Sequence, residues 1–69
     1  MIRYYLSHAD INYKNGVQEG KYTLYFDNGQ EEVIGMYKEG QQEGKIVVYS
    51  KNGDIVEEGF YVNGELLKK

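Results

Sequence analysis

Every glycine in this 69-residue chain lies on a 24-residue step. Gly16, Gly40 and Gly64 share one phase, and Gly20/Gly44, Gly29/Gly53 and Gly35/Gly59 share three more. Tyr13, Tyr37 and Tyr61 keep the step, as do Tyr25 and Tyr49. Residues 13–36 and 37–60 agree at 11 of 24 positions, among them Lys14/Lys38, Gln18/Gln42, Glu19/Glu43, Lys21/Lys45 and Asn28/Asn52. A fixed period of this length means one supersecondary unit copied and stacked, each copy burying what its neighbour cannot. The chain therefore reads as a single domain: residues 1–12 a degenerate leading cap, 13–36 and 37–60 two full repeats, and 61–69 a partial third that starts at Tyr61-Val62-Asn63-Gly64.

The unit is a β-hairpin. Asn28-Gly29 and Asn52-Gly53 predict two-residue type I′ turns, whose central residues both need positive φ. The flanks, residues 21–27 and 45–51, are rich in β-branched and aromatic side chains, with return strands near 31–38 and 55–62. No segment has the spacing of a capped amphipathic helix. The expected fold is all-β: one twisted antiparallel sheet of stacked hairpins, about six strands in a meander. Such turns place Tyr22 opposite Gly35, Leu24 opposite Val33, Ile46 opposite Gly59 and Val48 opposite Glu57. A large side chain lying over a cross-strand glycine stabilises a sheet that bends there. One face is expected to carry these residues with Phe26, Tyr37, Ile55 and Tyr61. The other carries Tyr25, Tyr49, Met36, Phe60, Glu32 and Glu58, with Ile34, Val47 and Val56. Both faces are partly apolar, and the sequence supplies no helix to cover either.

The pattern Asn-Gly-x-x-x-Gly-Lys-x-x-x-Tyr-x-x-Asn-Gly, followed by Gly-x-Tyr-Lys-x-Gly, resembles the MORN repeat, and most of all its bacterial variant form. Residues 15–29 and 35–40 carry the match in the first copy, and 39–53 and 59–64 in the second, with Glu39 standing where the pattern has Asn. The resemblance implies an elongated sheet of hairpins that serves as an interaction module rather than a catalyst. Some bacterial members act as antitoxins, and some eukaryotic members as scaffolds once thought to bind membrane lipid.

Composition narrows the chemistry. Eight basic and eleven acidic residues leave a net charge of −3, which argues against a phosphate-binding surface driven by counterion release, and so against direct nucleic-acid binding. Cysteine is absent and His8 is the single histidine, which excludes thiolate or multi-histidine metal sites and a disulfide framework. No cofactor is implied. No apolar run approaches a membrane span, the lysines are too diluted by acids for a polybasic membrane patch, and the N-terminus lacks a signal peptide's apolar stretch. Cytoplasmic residence is the expectation.

Ser7, His8 and Asp10 have the residue types of a nucleophile triad, but near-adjacent residues in one turn cannot converge as nucleophile, base and orienter. The segment from Ser7 to Asp10 reads as a solvated turn. Neighbours on a strand point to opposite faces, so Glu31-Glu32 and Glu57-Glu58 do not form paired catalytic carboxylates. The chain is thus expected to be no enzyme. It reads as a protein-binding module that neutralises a partner by covering its surface, as an antitoxin, an immunity protein or a phage-type inhibitor of a defence effector does. A structural module that pairs with itself or acts as an adaptor is the alternative. The partner-binding residues expected are Tyr25, Tyr49, Glu32, Glu58, Met36 and Phe60, with the glutamates meeting a basic, nucleic-acid-binding surface on the partner. A homodimer is a further way to cover the sheet.

Overall fold

A computed structural model describes the backbone of residues 2–6 and 8–68 and the side chains of residues 8–67. Nine strand segments are seen among them: β1 (Ile2–Leu6), β2 (Ala9–Lys14), β3 (Val17–Gln18), β4 (Gly20–Tyr25), β5 (Glu31–Lys38), β6 (Gln41–Gln42), β7 (Gly44–Tyr49), β8 (Ile55–Val62) and β9 (Glu65–Lys68). All pair antiparallel in one sheet of order β1-β2-β4-β5-β7-β8-β9, and no helix is seen among the described residues. The short segments β3 and β6 pair with the ends of β2 and β5. The expected all-β meander is therefore present, with more segments than the six read from the sequence. Of the extra ones, β3 and β6 arise because the linkers at 16–20 and 40–44 are themselves parts of small hairpins, and β9 is formed by the partial third repeat. The sheet measures 35 × 30 × 11 Å, and 11 Å is one layer of backbone with side chains on both sides.

The type I′ turns lie in these small hairpins and between β8 and β9, not where the Asn-Gly signal at 28–29 and 52–53 placed them. Both central residues have positive φ at Asn15-Gly16 (53° and 80°), Glu39-Gly40 (52° and 84°) and Asn63-Gly64 (52° and 85°). At the other two sites only Gly29 (88°) and Gly53 (92°) are left-handed. There the loop has three residues. Phe26 N–H donates to Gln30 O at 2.8 Å and Gly29 N–H to Phe26 O at 3.0 Å, and Ser50, Gly53 and Asp54 repeat the arrangement at 2.8 and 2.9 Å. A type I turn followed by a left-handed glycine makes this loop.

A three-residue loop shifts the pairing beside it by one. Tyr25 consequently stands opposite Glu31 and Tyr49 opposite Ile55. A one-residue bulge on each return strand, at Glu32 and at Val56, then restores the expected register. Tyr22 pairs Gly35, Leu24 pairs Val33, Ile46 pairs Gly59 and Val48 pairs Glu57. The inner register was legible although the turn was not.

Stacking is fixed at both margins by bonds one repeat apart. On one side, Glu19 Oε1 accepts from Glu39 N–H at 2.8 Å, and Glu43 Oε1 accepts from Asn63 N–H at 3.0 Å. Each carboxylate thereby caps the first residue of the next type I′ turn. On the other side, Asn28 Nδ2 donates to Lys51 O at 3.2 Å, and Lys51 Nζ lies 5.9 Å from the Phe26 ring centroid.

One expectation about the ends needs correction. Ala9 and Asp10 belong to β2, where they pair Leu6 and Tyr5, so they are not part of the expected turn of residues 7–10. Ser7 lies outside the described residues. At the other end β9 pairs Gly59–Val62 of β8.

Candidate functional site

Alternation along the paired strands divides the side chains between two faces. The front face has the better packing. Tyr22 is 7% exposed, and its ring lies flat over Gly35, where a Cβ would come within 2.6 Å of Cε1. Its O–H donates to Gln42 Oε1 at 2.6 Å, and the Tyr37 ring centroid is 5.0 Å away. Burial, reinforced by the neighbouring Tyr37 and Tyr61 phenols, pushes the Tyr22 hydroxyl up to about 12. In the second repeat Ile46 and Leu66 occupy the positions of Tyr22 and Gln42. An apolar pair thus replaces a hydrogen-bonded one. Both approach Gly59, with Leu66 Cδ1 at 3.0 Å and Ile46 Cγ2 at 3.8 Å from the position of a Cβ. The expected cover of Gly59 by Ile46 is therefore shared with Leu66 and with the Leu67 carbonyl at 3.1 Å.

The back face carries the expected contact residues. Tyr25 and Tyr49 are half-buried at the last positions of β4 and β7, beside the three-residue loops. Met36 is 43% and Phe60 44% exposed. Met36 pairs Lys21, and Phe60 stands between Lys45 and Leu67. Glu58 pairs Val47, and its carboxylate lies 3.7 Å from Lys45 Nζ in an exposed ion pair, a type that contributes little. Glu32 departs from expectation. It is the bulge residue, and Glu31 takes the place opposite Tyr25. The same shift makes Ile55 the partner of Tyr49, whereas the sequence reading put Ile55 on the front face. The structure thus brings Tyr25, Tyr49, Met36, Phe60 and Glu58 to one face and substitutes Glu31 for Glu32 beside Tyr25. Sequence reasoning missed Glu31 and Ile55 because bulges leave no compositional mark.

Beside Tyr25 the back face forms an open depression of about 400 Å³, lined by Asp10, Asn12, Lys21, Thr23, Tyr25 and Glu31. Thr23, 5% exposed, is the one buried polar side chain among the described residues. Asn12 Nδ2 donates to the Lys21 carbonyl at 2.8 Å, which ties β2 to β4 across the floor. His8 is elsewhere: its Nε2 lies 3.0 Å from Asp27 Oδ1, with both side chains exposed. Among the described residues no group of three or more His, Cys, Asp or Glu is placed to hold a metal ion.

Comparison of the chain with protein-family models, with curated proteins and with solved structures gives no match.

Proposed function

We propose that this chain is a non-enzymatic, MORN-like binding module that neutralises another protein by covering part of its surface with the back face of the sheet. The observation that supports the reading most is the single 11 Å layer with a row of exposed apolar groups on that face: Met36 at 43%, Phe60 at 44% and Ile55 at 55% exposure. Large apolar side chains left open on a small sheet mark an interaction surface. Tyr25 and Tyr49 stand among them, and tyrosine offers wide contact area, a hydroxyl handle and little rotamer entropy to lose. Glu31 and Glu58 give the face acidic points suited to a partner with a basic surface, such as a nucleic-acid-binding effector, and would speed association at low salt. Cytoplasmic residence, with neither cofactor nor membrane, fits this role.

The test is affinity capture from the native host followed by mass spectrometry, repeated with Tyr25→Ala/Tyr49→Ala. The reading requires a partner that binds the wild type and is lost with the double variant, while circular dichroism and melting change little. Binding retained by the double variant would move the interface off this face. Lost folding would assign both tyrosines to packing.

Self-assembly is the second reading. It draws on the outer strand β9, where Leu66 and Leu67 are 41% and 53% exposed, because an apolar edge strand is a template for another copy.

A further inference from the structure

The two faces of the sheet differ in charge. Alternation along the paired strands places Lys14, Lys21, Lys38, Lys45 and Glu58 on the back. Among the described side chains at paired positions, Glu57 is the one charge on the front, and it stands on β8 towards one end of the strand order. The registers carry one front row across five strands, Ala9–Leu24–Val33–Val48–Glu57, apolar up to its last member. Beside it Ile46 lies with Tyr22, and beyond them Tyr37, Tyr61 and Leu66. Of these apolar side chains Tyr22 alone is buried, and no described side chain is fully buried. Between Ile46, Val48, Tyr61 and Leu66 the face opens a depression of about 150 Å³.

We infer that the front face is covered by a second copy of this chain, the two sheets packing front to front as a sandwich. The area fits. Covering a face of 35 × 30 Å removes roughly 1,000 Å² from each copy, and about 2,000 Å² in all is where the apolar, obligate dimer interfaces begin. The charge fits too. A face with almost no charge has little means of steering or selecting a foreign partner, whereas two copies pressed together bring only their Glu57 carboxylates. Glu57 stands off centre, so a two-fold axis through the middle of the face carries the two carboxylates to opposite ends, each at the wet rim. The cover also serves folding. Stable domains close a core between two layers, and the described chain supplies one, 11 Å thick. An occupant that completes the core must be present whenever the chain is, and another copy is. Sheets packed this way stand about 10 Å apart, and the depression beside Gly59 takes an aliphatic side chain of the other copy. Both back faces stay outward, so the dimer presents the proposed contact surface twice, although the inference does not depend on that role.

Sedimentation velocity over a concentration series reads the mass, and hydroxyl-radical footprinting of the wild-type protein at high and low concentration reads the face. The expected species is a dimer of twice the 8.0 kDa chain, with a melting temperature that rises with concentration. On dilution, oxidation of Tyr37, Tyr61 and Leu66 should rise severalfold while that of Met36 and Phe60 stays level. Val48→Glu puts a carboxylate in the covered row and should weaken dimerisation at least about hundredfold. Met36→Glu, on the back, should leave the dimer intact. Should Val48→Glu fail to fold, the wild-type footprint decides alone. A monomer at every concentration would overturn the inference. So would a front face protected only in a captured complex, which would give that face to the partner. A dimer protected at Met36 and Phe60, or only at Leu67 along the β9 edge, would overturn it as well. Because these measurements use the chain alone, their failure leaves the back-face role standing. A captured partner lost with Met36→Glu while the dimer persists would support both surfaces separately.

Discussion

Replacing Glu39 by Asn should stabilise the protein although it removes no clash and adds no contact. Glu39 is the first central residue of the middle type I′ turn, with φ of 52°. The equivalent positions are Asn15 and Asn63, at 53° and 52°. Left-handed backbone costs an ordinary L-residue roughly 1–2 kcal/mol, and asparagine much less. The bond that holds this turn comes from the Glu39 main-chain N–H to Glu19 Oε1 at 2.8 Å, so the substitution keeps it. The side chain itself is exposed. A gain of about 0.5–1 kcal/mol follows, which in a domain of this size raises Tm by roughly 2–8 °C. Urea and thermal unfolding followed by circular dichroism would measure it. Glu39→Gln removes the charge while keeping the backbone strain, and should stay within about 0.5 kcal/mol of wild type. Asn15→Glu should lose about what Glu39→Asn gains. Equal gains from Gln and Asn would show that relief of negative charge, not turn geometry, is responsible. No gain from Asn would refute the strain argument.

Other outcomes follow from the same geometry. Gly35→Val should cost at least the 1–3 kcal/mol roughly typical of overpacking, because its Cβ would sit 2.6 Å from the Tyr22 ring; a melt within a degree or two of wild type would refute the packing. Gly59→Ala should cost less, since the nearest atoms to its Cβ, Leu66 Cδ1 at 3.0 Å and the Leu67 carbonyl at 3.1 Å, stand farther off than the Tyr22 ring at 2.6 Å does from Gly35, and chemical denaturation of the two variants should rank them so. Tyr22 keeps its proton in the folded state up to about 12 but loses it near 10 when unfolded. The folded state then binds the extra proton, so stability should fall as pH rises from about 10 towards 12; urea midpoints should show a flatter fall for Tyr22→Phe. Glu19→Ala removes the acceptor for Glu39 N–H and should cost about 0.5–1.5 kcal/mol by equilibrium unfolding, with Glu19→Gln close to wild type.

The repeat carried most of the architecture into the sequence. Glycine and tyrosine phase located the hairpins, and the pairing of Tyr22 with Gly35 and of Ile46 with Gly59 could be read directly. The turn types could not. Asn-Gly serves both a two-residue loop, as at 15–16, and the last part of a three-residue loop, as at 28–29. What separates them is the number of residues left before the next strand can pair, a tertiary property. The bulges at Glu32 and Val56 compensate for that extra loop residue, so the exchange of Glu31 for Glu32 beside Tyr25 was invisible too. Glu19 and Glu43 were visible as repeated identities. Their function as caps for the next turn needed the stacking distance of the copies.

Hydroxyl-radical footprinting of the captured complex tests the central claim most directly, because it reads side chains on each face separately. Binding through the back face predicts that oxidation of Met36, Tyr49 and Phe60 falls severalfold on complex formation while Leu66 and Tyr61 on the front change little. Unchanged labelling of Met36 and Phe60, with protection confined to the front face or to β9, would contradict it.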